Sequence, residues 1–324
     1  MRDKGQIMMV ALLIVVLVIS GCSLFKTPQK MPGPLKNIQG AEPQISVYMH
    51  ETGKTESMKM EDYIAGVVAG EMKPEWPVEA LAAQAILART FTLYAMENKG
   101  GVPTHGTQAS TDIKEFQAYD AKAINDNVRK AVEMTRGMVA VYQGKPIYAW
   151  FHASAGGVTA TAKEGLNYQQ DEPPYTQSVP SPDDLAPADV QNWTATFTKQ
   201  EVMTALTKLG HSVDSVKGHP VNTVSGVEIG EKGPSGRATT IVVDKDITVP
   251  AADFRVAIGS TKLKSMLLDK IDVTGDSVTF TGKGYGHGVG MSQWGANKLA
   301  TEGKKPEEIV SYYFKGVTIE KRWE

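Results

Sequence analysis

The sequence predicts an α+β fold: an N-terminal helical pair packed on a mainly antiparallel sheet, a long central loop or insert, and a glycine-rich strand-to-helix segment near the C-terminus. Three observations predict it. Between Glu61 and Asn98 apolar residues fall at helical spacing, broken only by Pro74 and Pro77. In MVAVYQGKPIYAWF (138–151) the pattern turns to β residues around Gly144-Lys145, the expected hairpin turn. From 282 to 290 glycine occupies every second position, between a strand pattern and a helix pattern. The order β, αα, ββ, α, β, α groups like elements together, which favours antiparallel pairing.

The elements follow in order. ISVYM, from Ile45, reads as the first strand. Ile64, Val67 and Val68 share one face of a helix over 61–72. A second helix starts near Pro77, a residue suited to the first turn, and runs to about Asn98, where Gly100 and Gly101 stop it. Its centre, ALAAQAILA, is small enough for another element to approach its axis. Residues 169–192 are rich in proline and aspartate and read as a loop, with an inserted subdomain expected over about 169–225. Thr198 to Glu201 forms a capping box for a short helix ending at Gly210. Residues 221–249 read as strands with a turn at Asp244-Lys245-Asp246, and 250–259 as a short helix. A strand over 277–281 feeds the glycine run. Ser292 caps the next helix, Gly303 ends it, and Pro306 opens the last one, which holds Tyr312 and Tyr313.

The chain opens MRDKGQIMMVALLIVVLVISGCSLF. Arg2 and Lys4 precede an apolar run over 7–19, closer to a signal h-region than to a span of about 20 residues. Small residues before Cys22 resemble a bacterial lipobox, in which that cysteine is lipidated. An uncleaved anchor helix over 7–25 is the alternative, and both readings place the rest of the chain outside the cytoplasmic membrane. Residues 23–44, with four prolines, read as a linker. A folded domain over 45–324 follows.

Composition excludes several function classes. The 324 residues carry a formal net charge of -2, a poor fit for a nucleic-acid binder. Cys22 is the single cysteine, so neither an internal disulfide nor a thiolate zinc cluster can form. No two of the six histidines stand at HxxxH spacing.

Three stretches could carry chemistry. In GKGYGHGVGMSQWG (282–295), a strand would leave one face bare and present Lys283, Tyr285 and His287 on the other. The dinucleotide pattern GxGxxG fits in no register. A tightly packed glycine strand without chemistry and a ligand site are equal readings on periodicity alone. FHASAGGVTATA (151–162) places His152, Ser154, Gly156 and Gly157 after a strand. A serine nucleophile would need an adjacent base, so a polar turn contacting a ligand is the better reading. In AGVVAGEMKPEWP, small and apolar residues surround Glu71; burial there would raise its pKa, while an exposed glutamate at a helix end is the plainer alternative. Arg89, one helix later, is either an anion binder or a solvated helix residue.

Together, YIAGVVAGEMKPEWPVEALAAQAILARTF (63–91), FHASAGG (151–157) and GKGYGHGVGMSQWGANKLA (282–300) resemble the stage II sporulation protein D family. PYTQSV (174–179), FRVAIG (254–259) and YYFKG (312–316) add to the likeness, which runs from about residue 45 to the end. The resemblance implies a lytic transglycosylase that cuts peptidoglycan between N-acetylmuramic acid and N-acetylglucosamine and leaves 1,6-anhydro ends, without a cofactor. It implies Glu71 as the single general acid and base. It implies Arg89, His152, Ser154, Gly156, Gly157, Tyr175, Gln177, Tyr285, His287, Gln293 and Trp294 as substrate-binding residues. The bare face of 282–290 would form one wall of a glycan groove.

Two departures matter. Some members hold zinc through histidine and cysteine, and this chain has no cysteine after Cys22, so no such zinc is expected. The family often reads Tyr-Leu-Lys-Ser-Val where this chain has Tyr175-Thr176-Gln177-Ser178-Val179, and Gln177 carries no charge. Related members enhance autolysins, so a wall-binding amidase enhancer without turnover is the rival reading, and a scaffold of an engulfment complex a third. The resemblance implies partners accordingly: glycan strands stripped of stem peptides by an amidase, a membrane protein of that complex, and a site between mother-cell and forespore membranes.

Overall fold

A computed structural model of the chain describes residues 40–211 and 224–324. The leader with Cys22, most of the linker, and residues 221–223 of the expected strand run lie outside the described residues. No described helix is long and apolar enough to cross a membrane. The fold is already engaged at Gly40, whose N–H donates to the Arg322 carbonyl at 3.1 Å.

The chain begins with an antiparallel hairpin, β1 (Gln44–Met49) and β2 (Lys54–Lys59), with Ala109–Ser110 parallel to β1 on its other side. Two helices follow, α1 (Met60–Glu71) and α2 (Val78–Lys99). The α2 helix is buried around most of its circumference, which its alanines allow, and Gly100 in the left-handed conformation ends it. A second small sheet sets Met138–Tyr142 between Lys145–Pro146 and Thr318–Lys321, all antiparallel. The Ala140 N–H donates to Thr90 Oγ1 at 2.8 Å, tying this sheet to α2. The hairpin turn lies at Gln143-Gly144, both with positive φ, one residue before the expected Gly144-Lys145; Lys145 is already paired with Tyr142.

A second hydrophobic core draws on residues from Trp193 to Phe280, so it extends well beyond 225. It packs two three-stranded antiparallel sheets. One orders Leu268–Thr274, Ser277–Gly282 and Trp193–Thr198; the other orders Ile247–Pro250, Thr240–Val243 and Val227–Ile229. The helices Lys199–Lys208, with its complete capping box, and Ala251–Ile258 cover them. Antiparallel pairing thus dominates the α+β fold, but it is divided among several small sheets.

The glycine run is not a strand beyond Gly282. Gly284, Gly286, Gly288 and Gly290 all have positive φ, between 73° and 115°. Their bare side is also occupied. A Cβ on Gly284 would meet the Ser154 carbonyl at 2.8 Å, and one on Gly286 would meet His152 Cβ at 2.7 Å. The expectation of an open glycine wall is therefore corrected: the glycines let 284–290 lie directly against 150–156. The short parallel pair Phe151–His152 with Met291–Ser292 continues that contact, and Ser292 then caps the helix Gln293–Thr301.

Candidate active site

Glu71 is the last residue of α1. Just before it, Gly70 carries the reason the site can form. A Cβ at Gly70 would stand 2.6 Å from the Tyr119 backbone nitrogen, so only glycine lets the 118–119 backbone cross the helix here. That crossing brings the Ala118 N–H to Glu71 Oε1 at 2.7 Å. The Gln293 side chain, in the first turn of the Gln293–Thr301 helix, also favours the charged form of this carboxyl.

Burial pushes the Glu71 carboxyl up to about 7, and the bonds from Ala118 and Gln293 hold it from rising further. The partial negative charge of a helix C-terminus acts in the same direction as burial. At neutral pH such a carboxyl is divided between its two protonation states, so it can give a proton in one step and take one in the next. Gln293→Leu removes a donor to the charged form. We expect the carboxyl pKa to climb by roughly one unit, on the scale of a hydrogen bond to a charged group. An NMR titration of the labelled glutamates reads this directly, and an unchanged Glu71 titration would deny Gln293 that part.

From Gln293 the contacts run on to further polar and aromatic side chains. Gln293 Nε2 faces Gln84 Oε1 at 3.5 Å, and the fully buried Gln84 Nε2 has no partner among the described residues. Trp294 packs on Trp76 with ring centroids 4.5 Å apart, and Lys73 Nζ lies 5.4 Å from the Trp294 ring centroid. Of these, the sequence reading named Gln293 and Trp294. It missed Gln84, Lys73 and Trp76, and the Ala118 amide, which as a backbone group has no residue-type signal. Lys73 and Trp76 stand within five residues of Glu71, which was the available clue.

Ser154, Gly156 and Gly157 come together in a neighbouring cavity of about 400 Å³, with Ser181, Asp183 and Lys283; Glu71 is not among its lining residues. The buried Asp183 carboxylate accepts from the hydroxyls of Ser154 (3.1 Å), Ser181 (2.9 Å) and Ser292 (2.6 Å). Ser154 therefore bonds a carboxylate and has no histidine base. The two regions share one joint: Ser292 bonds Asp183, and the next residue, Gln293, favours the charged form of Glu71.

Other expected site residues serve the interior. Arg89 is fully buried. Its Nε and Nη2 form a bidentate pair with Glu61, at 3.1 and 2.6 Å, and Nη1 donates to the Met138 carbonyl at 2.7 Å. Held this way, it has no fork left for a substrate anion, which corrects that expectation. Tyr175 is buried, and its hydroxyl accepts from the Tyr148 N–H at 3.0 Å.

His152 and His287 lie 5.5 Å apart, centroid to centroid. Burial drives His152 down to about 3 and His287 well below the usual range, so both are neutral. His152 Nδ1 meets the Val289 carbonyl at 3.1 Å, and His287 Nδ1 accepts from the Val289 N–H at 3.0 Å. The first bond ties the glycine run to 150–156 and the second folds the run on itself, and His152 is an interior residue. Tyr285 pairs its backbone with Ser154, and Gln177 is exposed with its amide on the Pro174 carbonyl at 3.3 Å. Among the described residues, no group of three or more histidine, cysteine, aspartate or glutamate side chains is arranged to hold a metal ion.

A family profile described as stage II sporulation protein matches residues 48–142, and a profile for a domain of unknown function matches 176–290. The first spans α1, α2 and Glu71; the second spans the second core. The chain is 33% identical over 300 residues to stage II sporulation protein D of Bacillus subtilis, covering 88% of this chain and 81% of that protein. It is 36% identical over 267 residues to an uncharacterized protein of Brachyspira hyodysenteriae, covering 81% and 67%. To an amidase enhancer of Bacillus subtilis it is 30% identical over 304 residues, covering 79% of this chain but 40% of the enhancer.

Proposed function

The chain belongs to the stage II sporulation protein D family, and from that premise we propose that it is a peptidoglycan lytic transglycosylase acting in sporulation. The observation that carries the reading is the Glu71 carboxyl. It is poised near neutrality by burial, Ala118 and Gln293, with no second carboxyl among the influences on it. Hydrolytic glycosidases need two carboxyl groups, one for the leaving oxygen and one for water or the sugar carbon. Intramolecular transfer needs one. Protonated Glu71 gives its proton to the glycosidic oxygen as the bond to muramoyl C1 breaks. The carboxylate then takes the proton of the muramoyl 6-hydroxyl as that oxygen closes on C1. No water is consumed, and Glu71 ends protonated, ready for the next bond.

In this reading an amidase first strips the stem peptides, and the chain then cuts the bared glycan outside the cytoplasmic membrane, held there by a lipid on Cys22 or by an anchor helix. Stem-peptide-free glycan strands incubated with the protein should acquire anhydromuramoyl ends, one water lighter than hydrolysed ends by mass spectrometry. Hydrolysed ends would replace this reading with hydrolysis and require a second carboxyl. Binding without any product would favour the second reading, a wall-binding enhancer of an amidase, which the similarity to the amidase enhancer supports.

A further inference from the structure

Resting on the proposed glycan cleavage, we infer that Lys73 is the specificity-determining cation of the site, pairing with the free lactyl carboxylate of a muramoyl residue whose stem peptide has been removed. A bared muramoyl residue carries a carboxylate on its lactyl group, where a peptide-linked one has a neutral amide. A site built for bared strands gains by meeting that charge with a fixed cation. Arg89 cannot supply it, being buried on Glu61. Gln177 is neutral. Lys283 lies 3.8 Å from Asp269, and Lys298 is shared by Asp184 and Glu302.

Lys73 differs from these. It is exposed, two residues after Glu71, and has no carboxylate within 4.0 Å among the described residues. Its ammonium stands over Trp294, whose neighbour Gln293 favours the charged form of Glu71, and Trp76 backs the same indole. The aromatic contact restricts the long side chain before substrate arrives, so less rotamer freedom is lost on binding. The partly exposed indoles beside it offer an apolar face to a sugar ring. Burial, Ala118 and Gln293 account for the influences on Glu71, and Lys73 is not among them. Its charge is thus available to the substrate without altering the acid.

The test uses the whole chain, Lys73→Met and Lys73→Arg. Each meets stem-peptide-free strands and the same strands with the lactyl carboxyl converted to a primary amide. Cleavage gives KM and the pH dependence of kcat; tryptophan fluorescence gives Kd. We expect the wild type to prefer the carboxylate by about two- to fivefold in KM and Kd, the scale of a solvent-exposed ion pair, and to lose that preference at high salt. Lys73→Met should abolish it by weakening only the carboxylate form, with kcat and its pH profile unchanged, and Lys73→Arg should restore it. Equal weakening on both strands would mean that Lys73 only packs on Trp294, and no weakening on either would also overturn the inference. Absence of turnover in the wild type would sink the transglycosylase reading alone. The Kd comparison would then still decide for Lys73 if the carboxylate preference depends on it, and against it if not.

Discussion

Glu71→Gln should abolish anhydromuramoyl product and, at pH 8, raise the melting temperature of the protein. The loss follows from one carboxyl serving both proton transfers, and general acid–base groups contribute about 10²–10⁴ in rate. The gain follows from linkage. The folded-state pKa is raised, to about 7, above the ordinary value of 4.5. Below the ordinary value the group is protonated in both folded and unfolded chains and imposes no penalty. As pH rises from about 4.5 to about 7 the unfolded chain gives up the proton while the folded chain keeps it, so stability is lost across that window, and above 7 the fold carries the full penalty of a buried charge. The shift corresponds to roughly 1–3 kcal/mol once partial exposure is allowed for, or several degrees in a chain of this size. Glutamine keeps an acceptor for the Ala118 N–H, and the Gln293 amide can turn its oxygen toward the new donor. The difference in melting temperature between variant and wild type should therefore grow between pH 5 and pH 8. A difference independent of pH would mean that Glu71 titrates as an ordinary glutamate, and surviving product would remove it from the chemistry.

The legible parts of this fold are those written in local rules. Proline and glycine punctuation gives both helices, with Gly100 in the left-handed conformation and Ser292 accepting from the Gly295 N–H. The Thr198 capping box is present with both of its bonds. Strands with a weaker pattern escaped. In β2, KTESMK, five of six residues are exposed, so there is no apolar alternation to read. The strand Trp193–Thr198 does alternate, with Trp193, Ala195 and Phe197 buried, but it pairs with Ser277–Gly282 some eighty residues away, a contact no local signal encodes. The glycine run misled for a physical reason. A period of two fits a strand, yet it equally fits alternate residues with positive φ, and only the partner pressed against them distinguishes the cases. At the site, a buried Glu71 with a raised pKa was one of two readings its apolar neighbours left open, beside a plain exposed glutamate, and the amide that meets it arrives through a backbone crossing over Gly70.

Arg89→Met should destabilise the fold by about 3–5 kcal/mol, because it strands a buried carboxylate. Glu61 is 6% exposed, and its two oxygens accept from Arg89 Nε and Nη2, the Gly137 N–H at 3.0 Å and Trp323 Nε1 at 2.8 Å. One carboxylate thus joins α1, α2, the start of the Met138–Tyr142 strand and the C-terminal tryptophan. Removing the guanidinium leaves two neutral donors to hold a charge away from water, and it frees the Met138 carbonyl as well. Lysine would not repair this, since a single ammonium cannot reproduce the planar fork. The double variant Glu61→Gln/Arg89→Met removes the stranded charge and should recover a substantial part of the loss, a coupling that independent sites do not show. Urea unfolding of the wild type, both single variants and the double variant measures it. A substrate-binding Arg89 would give the opposite pattern: an unchanged unfolding midpoint with weakened glycan affinity.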